Sequence, residues 1–121
     1  MRRRALLLAL LTGCAGDKAD TSPAASADTA AAWCAAGPQL TWDNWAAGFY
    51  RSYCTSCHSA QTPDRNGAPA AFNFDTEADA AANAAITRHV VLDEPSMPIG
   101  GGVFDQDLVY LDRYLHCNFG S

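Results

Sequence analysis

Residues 54–58 read Cys-Thr-Ser-Cys-His, and no other feature of the chain restricts its architecture as much. Cys-x-x-Cys-His is the spacing at which two thiols add to the two vinyl groups of one haem while the adjacent imidazole coordinates the iron. With 5 Cys and 3 His among 121 residues, a product of residue frequencies puts a chance occurrence of the pattern at about 0.005. Chance does not account for it. Cys54 and Cys57 are the candidate attachment points, and His58 is the candidate axial ligand, of one covalent haem c.

The other three cysteines fit a chain that leaves the cytoplasm. Met1-Arg2-Arg3-Arg4 supplies a positive segment, Ala5 to Leu11 an apolar one, and Leu11-Thr12-Gly13-Cys14 reads as a bacterial lipobox. Residues 1–13 are thus expected to be a lipoprotein signal peptide and Cys14 the lipidated N-terminus, with an ordinary secretion signal as the alternative. Seven apolar residues fall far short of the roughly 20 that span a bilayer, so the expected membrane attachment is through the N-terminal lipid only. An extracytoplasmic, periplasm-facing location follows. Ala15 rather than Asp after Cys14 favours the outer membrane over the inner. Cys34 and Cys117 flank the folded part and are candidates for a disulfide in that oxidising compartment, two separate buried thiols being the alternative.

Removing 13 of 121 residues leaves 108, enough for one small domain. Five Lys and Arg then face thirteen Asp and Glu, a formal charge of -8. Such a surface repels phosphate backbones and anionic headgroups, so no nucleic-acid partner is expected. Residues 14–32 are small and polar, with no aromatic or large aliphatic side chain, and are expected to form a lipidated flexible tether. Residues 33–121 are the expected folded domain.

Three helices are expected there. Thr41 is a candidate N-cap before Trp42, Trp45, Phe49 and Tyr53, which share one helical face and deliver Cys54 at the helix end. A second helix starts near Thr76, with Asp79 completing a capping box, and runs through alanines to Val91. A third starts with Asp105 as N-cap and reaches about Cys117, with Leu108, Leu111 and Leu115 on one face. Residues 62–69 and 94–102, rich in Pro and Gly, read as loops. No stretch alternates with period 2, so the fold class expected is all-α.

An iron held by His58 leaves its opposite face to a second ligand. Met97, in Ser96-Met97-Pro98, is the candidate: a soft thioether in a stiff loop 39 residues past His58. His89 and His116 are its rivals. A backbone carbonyl near Pro69, in the Gly67-Ala68-Pro69 turn, is a candidate acceptor for the other nitrogen of His58, a plain turn being the alternative. Arg65, Arg88, Trp42 and Trp45 are candidate donors to haem carboxylates.

Over residues 40–117 the chain resembles a class I c-type cytochrome of the small monohaem lipoprotein type. The resemblance is carried by the aromatic helix before Cys54-Thr55-Ser56-Cys57-His58, the Gly67-Ala68-Pro69 turn, Met97-Pro98 and the last helix. It implies a cytochrome c-like three-helix domain around one covalent haem, with thioethers on Cys54 and Cys57 and axial ligands His58 and Met97. It also implies a close crossing of the first and last helices, Gly48 and Phe49 against Leu111 and Tyr114. Ile99 stands where many relatives have a second proline, and a Cys34–Cys117 bridge lies outside the family's basic pattern.

The function implied is electron transport by a monomer that docks redox protein partners and is not itself an enzyme. The alternative is a subunit of a haem enzyme, or a gas or redox sensor, with a labile sixth ligand. A haem-free reading, with Cys54 and Cys57 as a thioredoxin-like thiol pair or as part of a zinc site, lacks the βαβ strands or the second ligand pair it needs.

Overall fold

The computed structural model describes residues 23–121. The expected leader over residues 1–13 and the lipid site at Cys14 lie outside the described residues. Among the described residues every regular element is helical, so the all-α expectation is borne out. The described residues hold five α-helices, where three were expected over residues 33–121: α1 (Pro23–Ala35), α2 (Ala47–Tyr53), α3 (Glu77–Ala82), α4 (Ala84–Arg88) and α5 (Asp105–Phe119). A π-helical turn, Trp42–Ala46, leads into α2, and another, His89–Asp93, continues α4. No helix among them is long and apolar enough to cross a membrane.

The entry to the first expected helix matches its sequence signal. The Thr41 hydroxyl accepts from the Asn44 amide (3.2 Å) and Asn44 Oδ1 accepts from the Thr41 amide (2.8 Å), so two otherwise orphaned donors are satisfied. Thr76 and Asp79 make the corresponding pair at the start of α3. The second expected helix is interrupted at Asn83 (φ -108°, ψ 12°). Asn83 Nδ2 donates to the Asp79 carbonyl (2.9 Å) and the Asn73 carbonyl (3.4 Å). A short amide that bonds to backbone competes with helix continuation, and here it also ties the helix pair to the preceding loop. The last helix begins one residue earlier than expected. Phe104 is its N-cap and donates no side-chain cap, while Asp105 and Asp107 occupy the first turn, where the helix dipole favours negative charge. Gly120, with φ 69°, terminates it in the left-handed conformation.

The core joins these elements through Ala46, Phe49, Tyr50, Phe74, Ala80, Ala84, Val91, Leu111, Tyr114 and Leu115. Trp45 packs on Phe49 (5.1 Å between ring centroids), Tyr110 (5.9 Å) and Tyr114 (6.0 Å), bridging the 42–53 segment to α5. The expected crossing at Gly48 is not found: Gly48 is exposed, and a Cβ added there would meet nothing within 4 Å. Bulky rings hold the two segments apart where a glycine contact would have drawn their backbones together. Burial raises the phenols of Tyr50 and Tyr114, the latter to about 12, and neither hydroxyl has a well-aligned partner.

The expected tether is described only from Pro23, and there it is helical rather than extended. Alanine supplies the propensity. The C-terminal end of α1 is fastened to α5 by a Cys34–Cys117 disulfide (S–S 1.98 Å) and by Arg113. The Arg113 guanidinium stacks 4.2 Å above the Trp33 ring and donates to the Trp33 carbonyl (2.8 Å), one of those a helix end leaves unpaired.

Candidate functional site

Helix α2 ends at Tyr53, and the pentapeptide turns directly off it. The Cys54 and Thr55 amides still bond the Tyr50 carbonyl (2.8 and 3.0 Å), and the Cys54 carbonyl then accepts from both Cys57 (3.2 Å) and His58 (2.8 Å). The result is a tight turn that presents Cys54, Cys57 and His58 to one cavity of about 460 Å3. That volume lies in the roughly 300–1,000 Å3 range of pockets that enclose an organic ligand. Phe49, Tyr53 and Phe74 form one wall of it, Ile86, Thr87, Val90 and Val91 of the α4 segment another, and residues 65–69 with Phe72 a third. Met97, Pro98 and Ile99 complete the lining.

His58 is fixed from three directions. Its Nδ1 lies 3.0 Å from the Phe72 carbonyl oxygen. Since a carbonyl only accepts, the proton belongs on Nδ1, which leaves the Nε2 lone pair for a metal. The His58 carbonyl accepts from the Phe74 amide (3.0 Å), and the imidazole meets the Phe74 ring edge-on at 5.7 Å. Phe74 in turn stacks on Tyr50 at 4.9 Å, which connects His58 to the core. The acceptor is thus Phe72 and not the candidate carbonyl near Pro69. The Pro69 carbonyl accepts from Arg65 instead (2.8 Å).

The two thiols are free and differ in setting. Burial pushes the Cys54 thiol up from 9.0 to about 12, so at neutral pH it is a neutral thiol. A nucleophilic redox pair needs the opposite, a thiolate stabilised by nearby positive charge. Cys57 accepts a weak contact from Asn66 Nδ2 (3.4 Å).

Met97 reaches the cavity because its backbone is anchored. The π turn offers the Val90 carbonyl, which accepts from both Ser96 (2.8 Å) and Met97 (2.9 Å). The loop then runs through Gly100, Gly101 and Gly102, all at positive φ, a conformation that favours glycine at each position. The rivals stand elsewhere. His89 is exposed and faces Glu94 (3.9 Å), and His116 packs against Trp33 (5.4 Å). Neither lines the cavity.

The candidate carboxylate donors are not brought together. Arg88 pairs with Asp112, and Trp42 and Trp45 belong to the aromatic core. Arg65 does line the cavity, yet its guanidinium is turned toward its own loop. Sequence reasoning missed this role, and it missed Asp75, whose Oδ2 accepts from the Ala60 amide (2.7 Å) and steadies the chain just after His58. Hydrogen bonds from the Ser59 hydroxyl and the Ala60 amide hold the Asp75 carboxyl below its ordinary value.

The donor set suits one large, flat, mostly apolar cofactor better than a bare ion. Two thiols, one imidazole with a free Nε2 and one thioether converge on an apolar cavity, and Arg65 brings the lining its one charged side chain apart from the ionisable His58. Among the described residues no three His, Cys, Asp or Glu side chains gather where an ion could be held by them alone. Comparison with known proteins adds no relative: no family model matches the chain, and no curated protein or solved structure is similar to it.

Proposed function

We propose that the chain carries electrons outside the cytoplasm through one c-type haem seated in this cavity, as its resemblance to class I c-type cytochromes implies. The observation that carries the reading is the convergence of Cys54, Cys57, His58 and Met97, four residues spread over 44 positions, on one apolar cavity. When bound, the haem supplies a one-electron ferric/ferrous couple. The chain's own residues do the rest. Cys54 and Cys57 would hold the macrocycle by thioether bonds. His58, oriented by Phe72, would offer Nε2 to its iron, and Met97, which lines the same cavity, would offer its sulfur. The apolar walls exclude water, and two neutral ligands favour the ferrous state.

A second reading, a labile sixth position that admits peroxide or a diatomic gas, is favoured by one feature. Met97 is 36% exposed and sits in a glycine-rich loop.

The test is a pyridine haemochrome spectrum of the chain expressed with a cytochrome c maturation system. A c-type band that survives acid-acetone extraction from wild type, and is lost in the Cys54→Ala/Cys57→Ala variant, is the expected result. A wild-type chain without the band, beside a control cytochrome that matures, overturns the reading. Carbon monoxide then separates the two functions: an electron carrier with a firm Met97 bond resists it in the reduced state, and a labile site binds it.

A further inference from the structure

The Phe72 carbonyl serves two donors. His58 Nδ1 lies 3.0 Å from it, and Arg65 Nη2 donates to the same oxygen at 3.0 Å. The other Arg65 donors are also committed. Nε bonds the Ala68 carbonyl (3.1 Å), Nη1 the Ser59 carbonyl (2.6 Å) and Asn73 Oδ1 (2.7 Å), and Nη2 the Pro69 carbonyl (2.8 Å). A guanidinium has five N–H groups, and here five acceptors meet them. Arg65 therefore has no donor left for a carboxylate on a bound cofactor. Its fixed charge sits one carbonyl away from the imidazole.

We propose that Arg65 is a positioning residue that tunes His58 through the Phe72 carbonyl, an inference that rests on the haem reading above. Two effects act in the same direction. An oxygen that already accepts a charge-assisted bond from a guanidinium has less electron density to offer Nδ1–H, so the imidazole is a weaker donor to its metal. The nearby cation also opposes a further positive charge on that metal. Both effects favour the ferrous state, so Arg65 raises the reduction potential. A mere loop staple would act otherwise: its loss would loosen Phe72 and weaken the Nδ1–H bond.

The test compares wild type with Arg65→Gln and Arg65→Lys, and uses Asn73→Ala as a control that removes one Arg65 side-chain contact while keeping the Phe72 carbonyl and the Arg65 Nη2 bond to it. The proton NMR resonance of His58 Nδ1–H is recorded in the full chain with and without haem, and the potential of the matured protein is measured. Arg65→Gln is expected to move the resonance downfield, the sign of a stronger bond to Phe72, and to lower the potential. Arg65→Lys, which keeps the charge but not the fork, should recover part of both shifts, and Asn73→Ala should leave both unchanged. An Arg65→Gln resonance that stays put or moves upfield, or a potential that Asn73→Ala lowers as much, overturns the proposal. If wild type takes up no haem, its haemochrome spectrum reports that separately and the resonance in the unloaded chain decides the Arg65 role. Should Arg65→Gln fail to fold, the smaller shifts expected of Arg65→Lys decide it.

Discussion

Replacing Cys34 and Cys117 together by alanine should lower the melting temperature of the matured protein by about 20 °C. The two residues are 83 positions apart in sequence. In the chain-entropy description, closing a loop of that length removes about 15 cal/mol/K from the unfolded ensemble, or about 4.5 kcal/mol at 25 °C. A domain of about 100 residues unfolds with an entropy near 0.2 kcal/mol/K, and the quotient gives the shift. The native contacts beside the bond should survive its loss, since Arg113 still bonds the Trp33 carbonyl. Thermal melts followed by far-ultraviolet circular dichroism, on samples with equal haem content, measure it. Dithiothreitol added to wild type provides the same perturbation without mutation, because thioether bonds resist it. A drop under about 5 °C in both experiments would refute the reasoning, for it would mean that the bond does not constrain the unfolded chain.

Three further outcomes test the site. Met97→Ala should retain covalent haem and lower the potential, because a thioether favours ferrous iron, and redox titration with an unchanged midpoint would remove Met97 from the ligand set. The carboxyl of Asp75 has its folded pKa below the ordinary 3.8, so its contribution is present above about pH 4 and is lost as pH falls through the folded value. Asp75→Asn should therefore flatten the decline of the urea midpoint below about pH 4, and an equally steep decline would show that Asp75 is not the sensitive group. In the folded, unloaded chain at pH 8, Cys54 should resist iodoacetamide and react only on unfolding, as a thiol pushed to about 12 requires. Mass spectrometry of the alkylated peptides would expose prompt labelling at Cys54 as a contradiction.

The parts of the fold legible in the sequence are those fixed within a few residues. Thr41 alone and Thr76 with Asp79 mark helix starts because the capping bonds are local. The Cys54–His58 turn follows directly from the helix before it. What sequence reading lost depends on distant partners. Composition makes residues 23–32 look like a tether, since none of them carries an aromatic or large aliphatic side chain. The helix there is held by alanine propensity and by the Cys34 and Trp33 contacts to α5, 79 and more positions away. The acceptor for His58 was sought at the proline turn, but Arg65 gathers the 59–73 loop around itself so that Phe72, three residues on, is the carbonyl that arrives. Gly48 suggested a close helix crossing, and the rings of Trp45, Tyr110 and Tyr114 fill that space first. Arg88 was a candidate for a cofactor's carboxylate because nothing in the sequence shows Asp112 on the facing helix.

Every residue that lines the cavity, from Phe49 to Ile99, lies inside the covalent ring that Cys34 and Cys117 close. Mechanically, the ring bypasses the site. A force applied to the chain before Cys34 passes across the sulfur bridge into the last helix and does not travel through the 54–99 segment. The cavity is thereby insulated from tension on whatever precedes it, and a cargo or surface joined at that side would load α5 while leaving His58 and Met97 at rest.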